Sequence, residues 1–196
     1  MITDLANVIA DFFVDNNIIN SKEREVYVYG SEALLSAFLN TIIVLLSGLV
    51  THEINNAFIF YFVFLVMRKY CGGYHAKTHL RCNLILTLNI LTVLILIKNI
   101  STINVSFYIS AIVISNTLIF WLAPIENENK PLESYEIKKY RKIAILLCLI
   151  FTVITVLLMP FYKTVSIIIT LALFSVSSAM LVTKLMKEVE VNRNAD

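Results

Sequence analysis

Six stretches of the chain are apolar over enough length, or nearly enough, to cross a bilayer, and the polar residues collect between them. Ala33–Val50, Phe107–Ala123, Ile143–Met159 and Thr164–Thr183 approach the roughly 20 apolar residues that a hydrocarbon core of about 30 Å requires. Ala57–Met67 and Leu84–Ile97 are shorter, and the first would give only about 16 Å of helix. These two must recruit flanking residues (Ile54, Asn55 and Asn56; Asn83), thin the bilayer, or enter it part-way. Ahead of the first run, Ile2, Leu5, Val8, Ile9, Phe12 and Phe13 recur at helical spacing, with Asp4, Asn7 and Asp11 between them. The pattern predicts an all-α, polytopic transmembrane helical bundle of about six spans. It is preceded by an N-terminal amphipathic helix that lies in the interface or packs on a partner helix. Four spans plus two half-inserted segments is the fallback, and it leaves the same loops on the same side.

Composition and charge sharpen this picture. The 196 residues are 58% hydrophobic and only 15% charged, too few charges to dress a water-facing surface. With four Gly and three Pro there is no room for a flexible linker, so residues 1–196 read as a single membrane domain. Within it, 1–29 is an N-terminal cytoplasmic or interfacial segment, 30–183 the bundle and 184–196 a cytoplasmic tail. Met1–Asn20 has neither a basic region nor a long apolar stretch, unlike a signal peptide. Fourteen of the sixteen basic residues fall before the first run, after the second, after the fourth or after the sixth, leaving Lys98 and Lys163 in the alternate loops. The positive-inside rule then predicts a multi-pass protein of the cell membrane with both termini cytoplasmic. Ser36, Ala37, Ser47, Gly48, Ser175 and Ser178 are small enough to let helices approach closely.

The loop after the second run concentrates chemistry. Arg68 to Cys82 holds two of three histidines (His75, His79), two of three cysteines (Cys71, Cys82), two of four glycines and four basic residues. A thiol attacks as thiolate, which nearby cations and an imidazole favour, and the imidazole can return a proton to a leaving amine. His75 and Cys82 would lie about 10 Å apart on continuous helix, so a working pair needs a bend, and Gly72-Gly73 suggests irregular backbone just upstream. His79 and Cys82 would meet on an unbroken helix, and spacing alone does not choose between the histidines. Cys71, His75, His79 and Cys82 are also ligand types that zinc accepts, but strung along three turns they cannot converge without folding back. Cys148, amid Leu146, Leu147 and Leu149, reads as a packing residue.

The run Arg-Lys-Tyr-x-Gly-Gly-Tyr-His, followed six residues later by Arg81-Cys82, resembles the accessory gene regulator protein B family. These are membrane peptidases that process quorum-sensing propeptides. Tyr29-Gly30-x-Glu32 and Ala123-Pro124 leading into Asn129-Lys130-Pro131 extend the likeness over the chain. The resemblance implies that Cys82 is the nucleophile and His75 its general base, with Arg68, Gly73 and Arg81 supporting. It implies cleavage of a peptide precursor through a Cys82 thioester at the cytoplasmic face, and ring closure of the fragment by an internal cysteine or serine. It also implies a homodimer, with no cofactor and no metal.

The sequence leaves the third member of such a site open among Asn83, Glu126, Asn127, Glu128, Asn129 and Glu133. Lys138, Lys139, Arg141 and Lys142 could attract an acidic propeptide tail, although a topology-setting loop explains them as simply. The rival function is a non-enzymatic membrane protein, a transporter or signalling partner with a structural or zinc-binding Cys/His loop. The spans carry Asn40, Asn89 and Asn116 but almost no ionisable groups, which disfavours transport. Nucleic-acid binding has no support at a net charge of +2 with the basic residues explained by topology.

Overall fold

The computed structural model describes residues 2–73, 79–98, 105–126 and 133–193. Among them are seven α-helices and no strand: α1 (Ile2–Asp15), α2 (Arg24–Thr51), α3 (Ile54–Cys71), α4 (His79–Lys98), α5 (Val105–Leu122), α6 (Ser134–Leu158) and α7 (Lys163–Arg193). Four of these are long and apolar enough to cross a membrane: α2, α5, α6 and α7. The other two long helices, α3 and α4, contain the two short apolar runs. As the sequence required, α3 recruits Ile54, Asn55 and Asn56 and α4 recruits Asn83 to reach 18 and 20 residues. The all-α membrane bundle therefore stands, with four full-length candidates rather than six. Asn55, Asn56, Arg68 and Lys69 dilute the hydropathy of α3, whereas α4 is a shorter apolar helix over Cys82–Lys98.

The bundle forms around α7. Its residues Ile167–Leu173, Val176 and Met180 are buried, and α3, α4, α5 and α6 all pack on it. Large apolar side chains elsewhere face outward, among them Leu34 and Phe38 on α2, Val113 and Phe120 on α5, and Leu146 and Val153 on α6. In water such a surface would be untenable; in lipid it is the expected one. Trp121, Phe161 and Tyr162 sit exposed at helix ends, where aromatic belts meet the headgroups.

Polar side chains inside the bundle pair across helices. Asn116 of α5 bonds Thr152 of α6 at 3.0 Å and accepts the Cys148 thiol at 3.3 Å. Tyr108 and Ser166 share a hydrogen bond of 2.7 Å, and Ser175 donates to Asn89 at 3.1 Å. Two of the three span asparagines thus join helices, and Cys148 is buried where packing and one hydrogen bond account for it.

α2 and α3 form a tight antiparallel pair. His52 adopts φ 57 after the last turn of α2, its N–H bonds Leu49 and that of Glu53 bonds Gly48, a Schellman closure. A Cβ on Gly48 would lie 2.9 Å from the Ile54 Cα, so only glycine allows this approach.

The N-terminal helix buries Ala6 and Ala10 against the start of α2, and the Arg24 guanidinium closes the pair on Asp11 at 2.6 Å. Leu5, Val8 and Phe12 remain exposed on the outer side, as an interfacial helix demands. α2 runs unbroken through position 30, so the N-terminal segment joins the bundle by continuous helix.

Candidate active site

The end of α3, the start of α4, the segment after α5 and the end of α7 meet at one end of the bundle. α3 stops because Gly72 and Gly73 take φ values of 72 and 117, which side chains with a Cβ rarely adopt. The irregular backbone expected from Gly72-Gly73 is therefore present. Gly72 forms an isolated parallel bridge with Ile125, whose N–H bonds the Cys71 carbonyl at 2.9 Å. A Cβ on Gly72 would collide with the Ile125 carbonyl oxygen.

Arg68, in the last turn of α3, turns its guanidinium onto this corner. Its Nη1 donates to the Gly72 carbonyl at 3.1 Å and occupies the space a Gly73 side chain would need. The backbone of α7 at Ala179 and Met180 closes the other side of Gly73. The Arg68 pKa is lowered by burial, against the opposing pull of thiolate charge on Cys82 and then on Cys71. The fold thus brings Arg68 into electrostatic reach of Cys82.

The cysteines differ sharply. Cys71 is fully buried where α3 ends, and burial pushes its thiol up to about 12, only partly offset by Arg68. Cys82 is half-buried in the first turn of α4. That position places its sulfur near the positive end of a helix dipole and beside N–H groups that lack intrahelical acceptors. Of the three cysteines it is the one whose surroundings suit a nucleophile.

His75 lies outside the described residues, as do the side chains of His79 and Arg81, so the structure does not decide between the two histidines. Among the described residues no three His, Cys, Asp or Glu side chains gather as a metal site would require. Of the candidate third members, Asn127, Glu128 and Asn129 are likewise outside them. Glu133 is exposed at the start of α6, where its N–H bonds the Glu136 carboxylate at 3.2 Å. Asn83 is 8% exposed, and its Oδ1 has no donor among the described residues.

Lys138, Lys139, Arg141 and Lys142 are exposed on the second and third turns of α6. Tyr140 among them meets Tyr70 of α3 edge-to-face, with ring centroids 5.7 Å apart, and Arg141 donates to the Phe120 carbonyl at 3.4 Å. The basic cluster is thereby set beside the end of α3.

Sequence reasoning singled out Ala123-Pro124 and Glu126 but not the contact of the segment Ala123–Glu126 with the end of α3. It left the loop after α5 as a solvated connection, yet this segment wedges between Gly72 and α7, where Lys187 donates to the Glu126 carbonyl at 2.9 Å. The signal available was Ala123-Pro124, a place where helix cannot continue directly into the following loop.

The chain matches the family model described as accessory gene regulator B over residues 6–183. A protein of Clostridium beijerinckii described as AgrB-like is 31% identical over 188 residues, 94% of this chain and 92% of its own length. An AgrB-like protein 2 of Clostridium perfringens (strain 13 / Type A) is 28% identical over 148 residues, 72% of this chain and 69% of its own. No solved structure matches the chain.

Proposed function

Because the chain belongs to the accessory gene regulator B family, with its role in maturing an autoinducing quorum-sensing peptide, we propose that it is a cysteine endopeptidase working at the cytoplasmic face. Its substrate is a peptide precursor. The observation that carries this reading is the setting of Cys82: half-buried, in the first turn of α4 and within the field of Arg68, whereas Cys71 and Cys148 are buried.

The reaction begins with the His75 imidazole taking the Cys82 proton. The thiolate Sγ attacks the scissile carbonyl carbon, and charge gathers on its oxygen. N–H groups in the first turn of α4, which have no acceptor within the helix, would stabilise that oxyanion, with the charge of the Arg68 guanidinium nearby. As the C–N bond breaks, imidazolium delivers its proton to the departing amine, and the N-terminal fragment stays on Cys82 as a thioester. A thiol or hydroxyl within that fragment attacks the same carbonyl, closes a thiolactone or lactone and frees Cys82. The thioester conserves acyl reactivity, so closure needs no further energy source. Confinement between helices and headgroups limits its loss to water.

The acidic C-terminal part of the precursor would be drawn to Lys138, Lys139, Arg141 and Lys142. Arg68 and Gly73 hold the corner from which the loop toward His75 departs, and Arg81 lies next to the nucleophile. The same reading takes the basic end of the bundle as cytoplasmic and the working unit as a homodimer in the bilayer.

The test uses purified protein in liposomes with its propeptide, comparing wild type with Cys82→Ala, Cys71→Ala, His75→Ala and His79→Ala by mass spectrometry. Cleavage that requires Cys82 and His75 but survives loss of Cys71 and His79 supports the pair. Equal dependence on all four, restored by added zinc, sinks it.

A further inference from the structure

Between α5 and α6 lies a groove of about 320 Å³, walled by Asn116, Thr117, Phe120 and Trp121 on one side and by Ile145 and Leu149 on the other. Its polar groups ask nothing of an occupant. Asn116 donates to the Ile112 carbonyl and to Thr152, and its Oδ1 accepts from Cys148 and Thr152. The Thr117 hydroxyl donates to the Val113 carbonyl. What remains is an apolar and aromatic wall on the lipid-facing side of the bundle, with Phe120, Trp121 and Leu149 exposed. A hydrocarbon chain suits such a groove, whereas a polar ligand would lose its hydration there and find no partner.

The groove ends in positive charge. Lys138, Arg141, Lys142, Ile145, Cys148 and Leu149 recur at helical spacing, so the stripe of α6 that walls the groove continues into three cations. Leu149 and Arg141 are separated by about 12 Å of helix, well within the length of one lipid. Arg141 Nη2 donates to the Phe120 carbonyl at 3.4 Å, which holds the guanidinium over the end of α5 at the groove's mouth. That bond takes one of several guanidinium N–H groups, and the others suit a phosphate. Among the described residues, Lys138, Arg141 and Lys142 form no ion pair. Trp121 lies beside them at the depth where aromatic side chains meet headgroups. We propose that the α5–α6 seam binds an anionic phospholipid, its phosphate on Arg141 and Lys142 with Lys138 adding charge, and one acyl chain laid along the groove. The site is separate from Cys82 and requires nothing of the peptidase reading.

Trp121 is the chain's single tryptophan and stands in the groove wall, so its fluorescence reports the occupant. The full chain is reconstituted in phosphatidylcholine vesicles holding a fixed minor fraction of lipid brominated on the upper acyl chain, either phosphatidylglycerol or phosphatidylcholine. Bromine quenches the indole on contact, so the ratio of the two quenching curves gives the relative affinity at the groove. Brominated phosphatidylglycerol is expected to bind at least about fivefold more tightly, the effect of one well-placed cation. Arg141→Gln with Lys142→Gln should bring the ratio close to one. Thr117→Phe and Ile145→Phe fill the groove from opposite walls and should each abolish the preference while the cations remain. Equal quenching by the two lipids in wild type overturns the site. A preference that survives the double Gln variant overturns the phosphate assignment. A preference kept in full by either Phe variant, with helical content as in wild type, shows anionic lipid gathered at the basic surface without entering the groove, and overturns the seam as its place.

Discussion

Replacing Gly73 by Ala tests whether the corner at the end of α3 positions the site. At φ 117 an L side chain is strained, by about 1–3 kcal/mol. The new methyl would also meet the Arg68 guanidinium and press on the α7 backbone near Met180. Displacing Arg68 forfeits its bond to the Gly72 carbonyl, and a hydrogen bond from a charged donor is worth about 1.5–3 kcal/mol. The two effects together exceed what a corner closed by one bridge can absorb in place, so the turn must shift. A shift of about 1 Å in a catalytic group costs on the order of 10²-fold in rate. The expected outcome for Gly73→Ala is therefore a kcat for propeptide cleavage about 100-fold lower, with Cys82 still accessible to alkylation and the helical content unchanged. Arg68→Ala in the same background removes the clash but not the backbone strain, so activity should not return. A Gly73→Ala enzyme that cleaves at the wild-type rate would refute the reasoning, because the corner would then tolerate a side chain the geometry forbids.

Other outcomes follow from the same geometry. Iodoacetamide at neutral pH should modify Cys82 and spare Cys71 until the protein is unfolded; equal rates at both would contradict the burial of Cys71. Because burial raises the Cys71 thiol from 9.0 to about 12, its contribution to stability is complete below the unfolded value and is lost as pH rises toward 12. The melting-temperature gap between wild type and Cys71→Ala should accordingly narrow above pH 9, and a constant gap would argue against it. Gly48→Val crowds Ile54 and Ala57 at the opposite end of the bundle, and should lower stability in detergent by about 1–3 kcal/mol while leaving kcat per folded molecule intact. Neutralising Lys138, Lys139, Arg141 and Lys142 to Gln should raise KM at low salt and matter less at high salt, where screening already weakens the attraction. An unchanged KM at low salt would leave these residues to topology alone.

Much of this molecule was legible in its sequence because a membrane imposes strong rules on apolar length. The six runs mark the six long helices, and the two short ones, Ala57–Met67 and Leu84–Ile97, lie in the two helices that fall below a full span. Gly72-Gly73 announced the end of α3, since consecutive glycines there suggest left-handed backbone. The motif around Cys82 drew attention to the loop and its resemblance pointed to Cys82, yet it gave no physical reason for the thiol of Cys71 to differ. That distinction depends on burial, which requires knowing that α7 and the segment after α5 close over the end of α3. The Ala123–Glu126 wedge was hidden for a similar reason. Its partners Cys71, Gly72 and Lys187 are more than 50 residues away in either direction, and no local periodicity reports so distant a pairing. Asn89 and Asn116 looked like isolated polar residues in the spans and turned out to be helix-to-helix bonds. Side-chain partners of that kind are a property of packing, not of the segment that carries them.

The measurement that bears most directly on the central claim is an intact-mass analysis of the liposome-reconstituted protein, quenched in acid during turnover with its propeptide. The account predicts a species heavier by the N-terminal fragment, attached at Cys82, labile to hydroxylamine as a thioester is, and absent from Cys82→Ala. Continued cleavage by Cys82→Ala, or an adduct that maps to Cys71 instead, would contradict it.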